Sequence, residues 1–132
     1  MIQATLRMMM DPEKFTEAVK ILSRTAERAR VETGCERCHV YSDTQKANVI
    51  LMEGAWKSDE ELNRLLRSDG FRDVLMVMEM AIQAPEIKFS TITRVTGIER
   101  VKAARLVNQD IALAHDFNEF TQEEYAEEGE VA

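Results

Sequence analysis

The segment from Cys35 to His39 holds the residues whose types and spacing most directly suggest chemistry. It reads Cys-Glu-Arg-Cys-His, which has the C-x-x-C-H spacing of covalent heme attachment. In an extended strand we expect Cys35 and Cys38 to point to opposite faces, which disfavours both thioether attachment and a disulfide. A metal site would lack a fourth protein ligand nearby. We therefore expect free thiols, no metal and no cofactor, with the spacing coincidental.

A second set of candidates is His39, Tyr41 and Arg7, which lie in predicted strands. A histidine can act as a general base, and a tyrosine or arginine can stabilise an oxyanion. His39 and Tyr41 are two residues apart and therefore share a strand face. These three residues are weak catalytic candidates, because a buried, hydrogen-bonded structural histidine explains the same pattern.

Glu53 and Trp56 close an apolar run that begins at Val49. A buried carboxylate is costly unless it is paired, so we expect Glu53 to meet Arg7, Arg94 or an arginine of a second subunit. Glu53 is then either part of an ion pair at a dimer interface or a catalytic acid. Trp56 either lines a small-molecule cavity or fills the core.

Periodicity predicts the elements that position these residues. Alternating or continuous apolar runs predict four strands, which cover residues 2–10, 35–43, 47–57 and 87–97. Helical spacing predicts two helical regions, which cover residues 11–32 and 58–84, the second interrupted at Ser68-Asp69-Gly70. The order β-α-β-β-α-β predicts an α+β, ferredoxin-like domain over residues 1–97, with a four-stranded antiparallel sheet and both helical regions on one face.

Two helix starts carry sequence signatures. Asp11-Pro12 pairs a good N-cap residue with a proline in the first turn. Ser58 and Glu61 form a capping box, in which each side chain is expected to accept a hydrogen bond from the backbone amide of the other residue.

The C-terminal part, residues 98–132, is predicted to be a helical extension with an acidic tail. Up to Arg105 the chain has all 17 of its Lys and Arg and 16 of its 24 Asp and Glu, a formal net charge of +1; the other 8 acids follow. Disorder of the tail and docking of the tail across a partner are both open. The nearly neutral body argues against nucleic acid as a partner.

The third strand also indicates how the protein assembles, and the sequence as a whole indicates where in the cell it is found. Val49, Ile50, Leu51 and Met52 are apolar on both faces, whereas the topology supplies helices for one face only. A second copy in a twofold dimer is the simplest cover for the other face. No apolar run is long enough to span a membrane, and no signal peptide is visible, so we expect a cytoplasmic homodimer.

Three short motifs, together with the element order, resemble the antibiotic biosynthesis monooxygenase family over residues 2–97. They are Gly34-Cys35 at the start of the second strand, Glu53-x-x-Trp56 at the end of the third, and Ser68-Asp69-Gly70-Phe71. The resemblance implies a dimeric α/β barrel with one pocket per subunit. It also implies cofactor-independent oxygenation of phenolic or quinol substrates, with heme degradation as another activity among members.

The sequence departs from the family in ways that bear on activity. Leu75 stands where the heme-degrading branch has its ligating histidine, and the first strand has no asparagine. Heme degradation is therefore disfavoured. Leu66 and Gly70 stand where many members carry histidines. Trp56 matches a tryptophan that lines the pocket in some members.

From these observations we expect Trp56, Met52 and Phe71 to contact a flat, largely apolar small molecule. The expected function is small-molecule binding with cofactor-independent monooxygenase activity on a phenol or quinol. A non-catalytic ligand-binding or interaction module of the same fold is the alternative.

Overall fold

In the computed structural model, which describes residues 1–107, segments with alternating or helical apolar patterns form eight strands and helices. The elements are β1 (Ile2–Met9), α1 (Phe15–Arg30), β2 (Cys35–Ser42), β3 (Val49–Trp56), α2 (Asp59–Leu66), α3 (Phe71–Glu79), β4 (Glu86–Thr91) and α4 (Ile98–Val107). The strands form one antiparallel sheet in the order β2-β3-β1-β4. The predicted ferredoxin-like fold is confirmed, with the sheet of the single chain open rather than closed.

Strand register separates the two faces of this sheet. The buried residues Ile2, Leu6 and Met8 of β1 pair with Trp56, Met52 and Ile50 of β3. These residues join one hydrophobic core with side chains from three helices, which include Ala18, Ile21, Leu22, Ala26, Leu62, Val74 and Val77. The helices α1, α2 and α3 therefore cover this face, which we call the inner face.

The opposite, outer face carries the odd-numbered residues of β1 and β3. Val49 and Ala55 are buried there, whereas Leu51 and Glu53 are half-buried. The third strand is thus apolar on both faces, apart from Glu53, as predicted. The outer face is the one that the predicted dimer would cover.

The strand β2 contains a β-bulge between Cys35 and Arg37. Cys35 pairs with Trp56, Arg37 with Ala55, and Cys38 with Gly54. The extra residue shifts the alternation of side chains by one position. Cys35 and Cys38 therefore both lie on the inner face. The prediction that they point to opposite faces is therefore wrong. Both thiols are free, and the Cys35 thiol donates to the Arg37 carbonyl oxygen at 3.4 Å.

Both predicted helix starts need correction. The helix α1 begins at Phe15, because Asp11 Oδ1 accepts the Glu13 amide at 3.0 Å in a local turn instead of capping the helix. Ser58 is the N-cap of α2, but no side chain caps the backbone there. Its hydroxyl donates to the Glu61 carboxylate instead, and this hydrogen bond is the first cause of the lowered pKa of Glu61.

The strand β4 is shorter than predicted, since it ends at Thr91 rather than at residue 97. Thr91 pairs with Ile2, the first residue of β1, so residues beyond Thr91 have no β1 residue opposite them. A first compact unit ends at Thr91 and a second begins at Ile92. The boundary predicted at residue 97 remains a prediction.

The second unit contains α4, whose first and last turns carry Glu99 and Arg105. The rest of the predicted helical extension, with its acidic tail, lies outside the described residues. Among residues 1–107, no helix is long and apolar enough to cross a membrane.

Candidate functional site

Trp56 lies on the inner face at the end of β3, and its ring extends back over Gly54. A Cβ atom added to Gly54 would lie 2.4 Å from Cη2 and 2.7 Å from Cζ3 of the indole. The ring therefore packs against bare backbone and leaves 4% of Trp56 exposed. Glycine at this position lets a large aromatic ring lie along the sheet.

A cavity lies between this ring, the sheet and the helices α2 and α3. Its empty volume is about 400 Å³, part of which is open solvent. We call it the Trp56 cavity. Its lining residues from the four strands are Ala4, Thr5, Leu6, Cys38, Met52, Gly54, Trp56, Ile87 and Phe89, and those from the helices are Leu62, Leu65, Leu66, Phe71 and Val74.

The structure brings the three predicted substrate contacts together. Trp56, Met52 and Phe71 all line the Trp56 cavity, from β3 and from the first turn of α3. The interruption at Ser68-Asp69-Gly70 makes this possible, because it ends one helix and restarts another at Phe71. Their role in binding remains a prediction, and Trp56 is at once a cavity residue and a core residue.

Cys38 is the ionisable side chain on this lining, the others described there being neutral. Burial, and to a lesser extent the neighbouring Cys35, raise the pKa of its thiol to about 11. The thiol is therefore neutral near pH 7 and is no base for a substrate proton. The cavity favours an uncharged, apolar ligand, since a charged one would lose its hydration without a partner.

A second, polar groove adjoins the cavity and shares Trp56 and Leu65 with it. Its empty volume is about 380 Å³, again including solvent, and its other lining residues are Ala29, Glu32, Thr33, Glu61, Arg64 and Ser68. Trp56 thus contacts an apolar space on one side and a charged surface on the other. The Glu61 side chain also covers Gly34, whose φ is +89°.

The weak catalytic candidates lie away from the cavity. His39 pairs with Glu53, and both Tyr41 and Arg7 pair with Leu51, which places all three on the outer face. The His39 and Tyr41 rings meet edge to face with centroids 6.3 Å apart. Residues assigned by sequence to catalysis and to substrate binding are therefore on opposite sides of the sheet within one chain.

Glu53 and Arg7 do not pair with each other, and each interacts with a different side chain. Glu53 Oε1 accepts a hydrogen bond from Gln3 Nε2 at 2.8 Å, a neutral partner that sequence analysis missed. Arg7 Nη2 lies 3.7 Å from Asp43 Oδ2, with each side chain about one-third exposed. The backbone amide of Gln45 is the first cause of the lowered pKa of Asp43. An exposed pair of this kind contributes little to stability.

Among the cavity residues that the sequence did not predict are two of β4 and one of β2. Ile87 and Phe89 pair with Leu6 and Ala4 of β1, so they share the inner face and reach the lining. The alternation of β4 indicated that they share a face but not which one. Cys38 was missed because the bulge before it is invisible to a pattern of period two.

Within residues 1–107, no three His, Cys, Asp or Glu side chains are grouped closely enough to hold a metal ion.

Comparison with known proteins relates the sequence to one family. The family model described as antibiotic biosynthesis monooxygenase matches residues 1–75, more than half of the chain. A comparison with curated proteins finds no match.

Solved structures agree in fold. A putative antibiotic biosynthesis monooxygenase from Deinococcus radiodurans is 15% identical, with a TM-score of 0.68 over 74% of this chain and 97% of that one. A conserved protein from Methanosarcina mazei Go1 is 24% identical, with a TM-score of 0.63 over 67% and 89%. A mutant of SnoaB, described as a cofactor-independent oxygenase from Streptomyces nogalater, is 17% identical, with a TM-score of 0.61 over 70% and 93%. At these identities the likeness is one of fold.

Proposed function

Since the chain belongs to the antibiotic biosynthesis monooxygenase family, we propose that it binds a flat, largely apolar small molecule in the Trp56 cavity. The observation that carries the proposal is the lining. An indole, phenyl rings and leucine side chains surround a space on the inner face without a charged side chain among the described lining residues. Ligand cavities typically have this apolar character. Trp56, Met52 and Phe71 contact the ligand in this proposal.

For the reaction, we propose cofactor-independent oxygenation of a phenol or quinol. One atom of dioxygen enters the ring and the other leaves as water, giving a quinone from a phenol or a hydroxyquinone from a quinol. The substrate supplies all four electrons, so no redox cofactor is required. A cavity that excludes water protects the reactive intermediate. One protein of this fold, from Streptomyces nogalater, is described as such an oxygenase.

A non-catalytic ligand-binding module is the second candidate, and one observation favours it. The described lining offers no base, because the Cys38 thiol is held neutral by a pKa of about 11. His39, Tyr41 and Arg7 lie on the outer face of the same sheet. In this case the protein has the fold and the cavity but catalyses no reaction, and the ligand is released unchanged.

We also propose that the protein is a cytoplasmic homodimer with neither nucleic acid nor membrane as a partner. The outer face supports the dimer, because Leu51 of β3 is only half-buried there and the neighbouring Tyr41 of β2 is 49% exposed. A second copy packed there would bring His39, Tyr41 and Arg7 into the interface.

Oxygen consumption and thermal shift, measured together on one panel of phenols and quinols, test the proposal. Oxygen uptake that depends on the protein, with a shift for the same compound, is the expected result. Thermal shifts without oxygen uptake would support the binding module and contradict the oxygenase. Neither uptake nor a shift across the panel would contradict both.

A further inference from the structure

The apolar lining of the Trp56 cavity continues onto the surface of the protein at β4. Ile87 and Phe89 line the cavity, yet they are 40% and 48% exposed. They pair with Leu6 and Ala4, so both project on the inner face beside the cavity. One side of the cavity is thus made of large apolar side chains that remain in contact with water.

Exposure changes gradually from the interior to this rim. Trp56 and Val74 are buried, and Phe71 is half-buried. Ile87 and Phe89 follow as the exposed end of the same lining. A continuous apolar path therefore leads from the core of the domain to its surface.

The charges of β4 lie on the other side of the sheet. Lys88 stands between Ile87 and Phe89, but it pairs with Thr5, a residue of the outer face. Glu86 pairs with Arg7 on that same outer face. The inner side of β4 therefore carries Ile87, Phe89 and the uncharged Thr91, and it offers no charged partner for an anionic or cationic group.

Size points in the same direction. The empty volume of about 400 Å³ includes open solvent, so the enclosed part of the cavity is smaller than this figure. A ring that fills the space beside Trp56 leaves no room inside for a further large substituent. Such a substituent would leave the cavity over Ile87 and Phe89.

We propose that the ligand of the Trp56 cavity carries a hydrocarbon chain that lies along Ile87 and Phe89. The inference rests on the proposed binding function, because it concerns the same cavity, but it does not require turnover. Covering the two side chains removes apolar surface from water, which favours binding in proportion to the area covered. The ligand class is thus an uncharged aromatic ring with an aliphatic tail.

A series of para-alkylphenols tests this proposal directly: phenol, para-butylphenol and para-octylphenol, each below its aggregation concentration. Trp56 is the single tryptophan of the chain, so tryptophan fluorescence reports on the surroundings of this one ring. We expect Kd to fall about two- to fourfold for each methylene that reaches the rim. An affinity that does not change along the series would overturn the proposal.

Three variants locate the chain. Phe89→Thr and Ile87→Thr keep residues that suit a strand and should flatten the dependence of Kd on chain length. Either variant suffices if the other fails to fold. Met76→Gln is the matched control, because Met76 is 46% exposed and does not line the cavity. An equally weakened dependence of Kd on chain length in the control, or no weakening in the two β4 variants, would show that the hydrocarbon chain of the ligand does not lie on β4.

Oxygen uptake measured on the same samples separates this inference from the proposed reaction. A chain-length dependence without oxygen uptake would support the inference and contradict the oxygenase. Oxygen uptake with equal affinity for all three phenols would contradict the inference and support the oxygenase.

Discussion

The six-membered ring of the Trp56 indole covers the α-carbon of Gly54, two residues earlier in the same strand. The contact is close enough that even one methyl group at position 54 would overlap Cη2 and Cζ3 of the ring. The position of the indole, and with it the shape of the cavity, therefore depends on the absence of a side chain.

Replacing Gly54 by alanine should displace the indole. Because the Cβ would lie 2.4 Å from Cη2, the ring must move into the cavity or toward the polar groove. Overpacking of this kind costs about 1–3 kcal/mol, so we expect a lower free energy of unfolding and a shifted Trp56 emission spectrum. Urea unfolding followed by fluorescence measures both.

Gly70→Ala is the matched control for that substitution. A Cβ at Gly70 would meet nothing closer than Ser68 Oγ at 3.9 Å, and its φ of −61° suits any residue. We expect a stability within about 1 kcal/mol of the parent. An equal loss in both variants would show that the indole contact is not the cause.

Substitutions of Trp56 itself separate its two roles. Trp56→Ala removes a side chain that is 4% exposed and should cost about 3–5 kcal/mol. Trp56→Phe keeps part of the ring and should fold, while ligand-induced thermal shifts weaken. A Trp56→Phe protein with unchanged shifts for every ligand would contradict a binding role for the indole.

The Cys38 thiol predicts a dependence on alkaline pH. Its pKa is raised to about 11, first by burial, whereas an unfolded thiol has a pKa near 9. Between these values the unfolded chain loses the proton and the folded one keeps it, so the free energy of unfolding should fall as the pH rises from about 9 to about 11. Below pH 9 this contribution is fully present.

Alkylation with iodoacetamide, followed by mass spectrometry, checks the same property. Cys38 should react slowly at pH 8 and faster as the pH approaches 11, because the thiolate is the nucleophile. Cys35, whose pKa is also raised by burial but which is less buried, serves as the internal comparison. Faster labelling of Cys38 than of Cys35 at pH 8 would contradict the assignment.

Light scattering tests the proposed dimer. We expect a chain truncated after residue 116 to remain a dimer, because the outer sheet faces and not the tail make the contact. Leu51→Lys, beside Arg7 and Tyr41 on that face, should give monomers through charge repulsion and desolvation. Val31→Lys, on an apolar side chain 85% exposed at the end of α1, should leave the dimer intact. A folded monomer after truncation would assign the contact to the tail.

A double substitution tests the contact of Gly34 with Glu61. A Cβ at Gly34 would lie 2.1 Å from Glu61 Cγ, and its φ of +89° strains any other residue. Gly34→Ala should therefore destabilise the protein by more than the roughly 1–2 kcal/mol of backbone strain alone. Adding Glu61→Ala should recover the part of the steric cost that comes from Cγ and Cδ, whereas the contact with the Cβ of residue 61 at 2.8 Å and the backbone strain remain. If the second substitution recovers nothing, the side-chain clash contributes nothing.

Periodicity predicted the order of the elements, and the continuous apolar run predicted that both faces of the third strand are apolar. The pairs Leu6–Met52 and Met8–Ile50 depend on the strand register, which the structure supplies. The restart of the second helical region at Phe71 followed from the Ser-Asp-Gly interruption. Trp56, Met52 and Phe71 were placed together for the same reason.

The remaining features depend on contacts that no local pattern contains. The bulge in β2 is set by its pairing with β3, and the end of β4 is set by where β1 begins. Glu53 was expected to bind an arginine, but the nearest partner across the sheet is the Gln3 amide. His39 and Tyr41 were correctly given one face, and only the three-dimensional sheet shows that this face is not the cavity's.

The open sheet has a consequence for how copies of this chain can associate through their strand edges. Its outermost strands, β2 and β4, each leave one side without a strand partner in the described chain, and such edges can template further strands. The bulge breaks the regular hydrogen-bonding pattern of β2, and Glu86 and Lys88 place charges along β4. We therefore expect the bulge that places Cys38 on the inner face also to hinder edge-to-edge pairing of β2 with a strand of another chain.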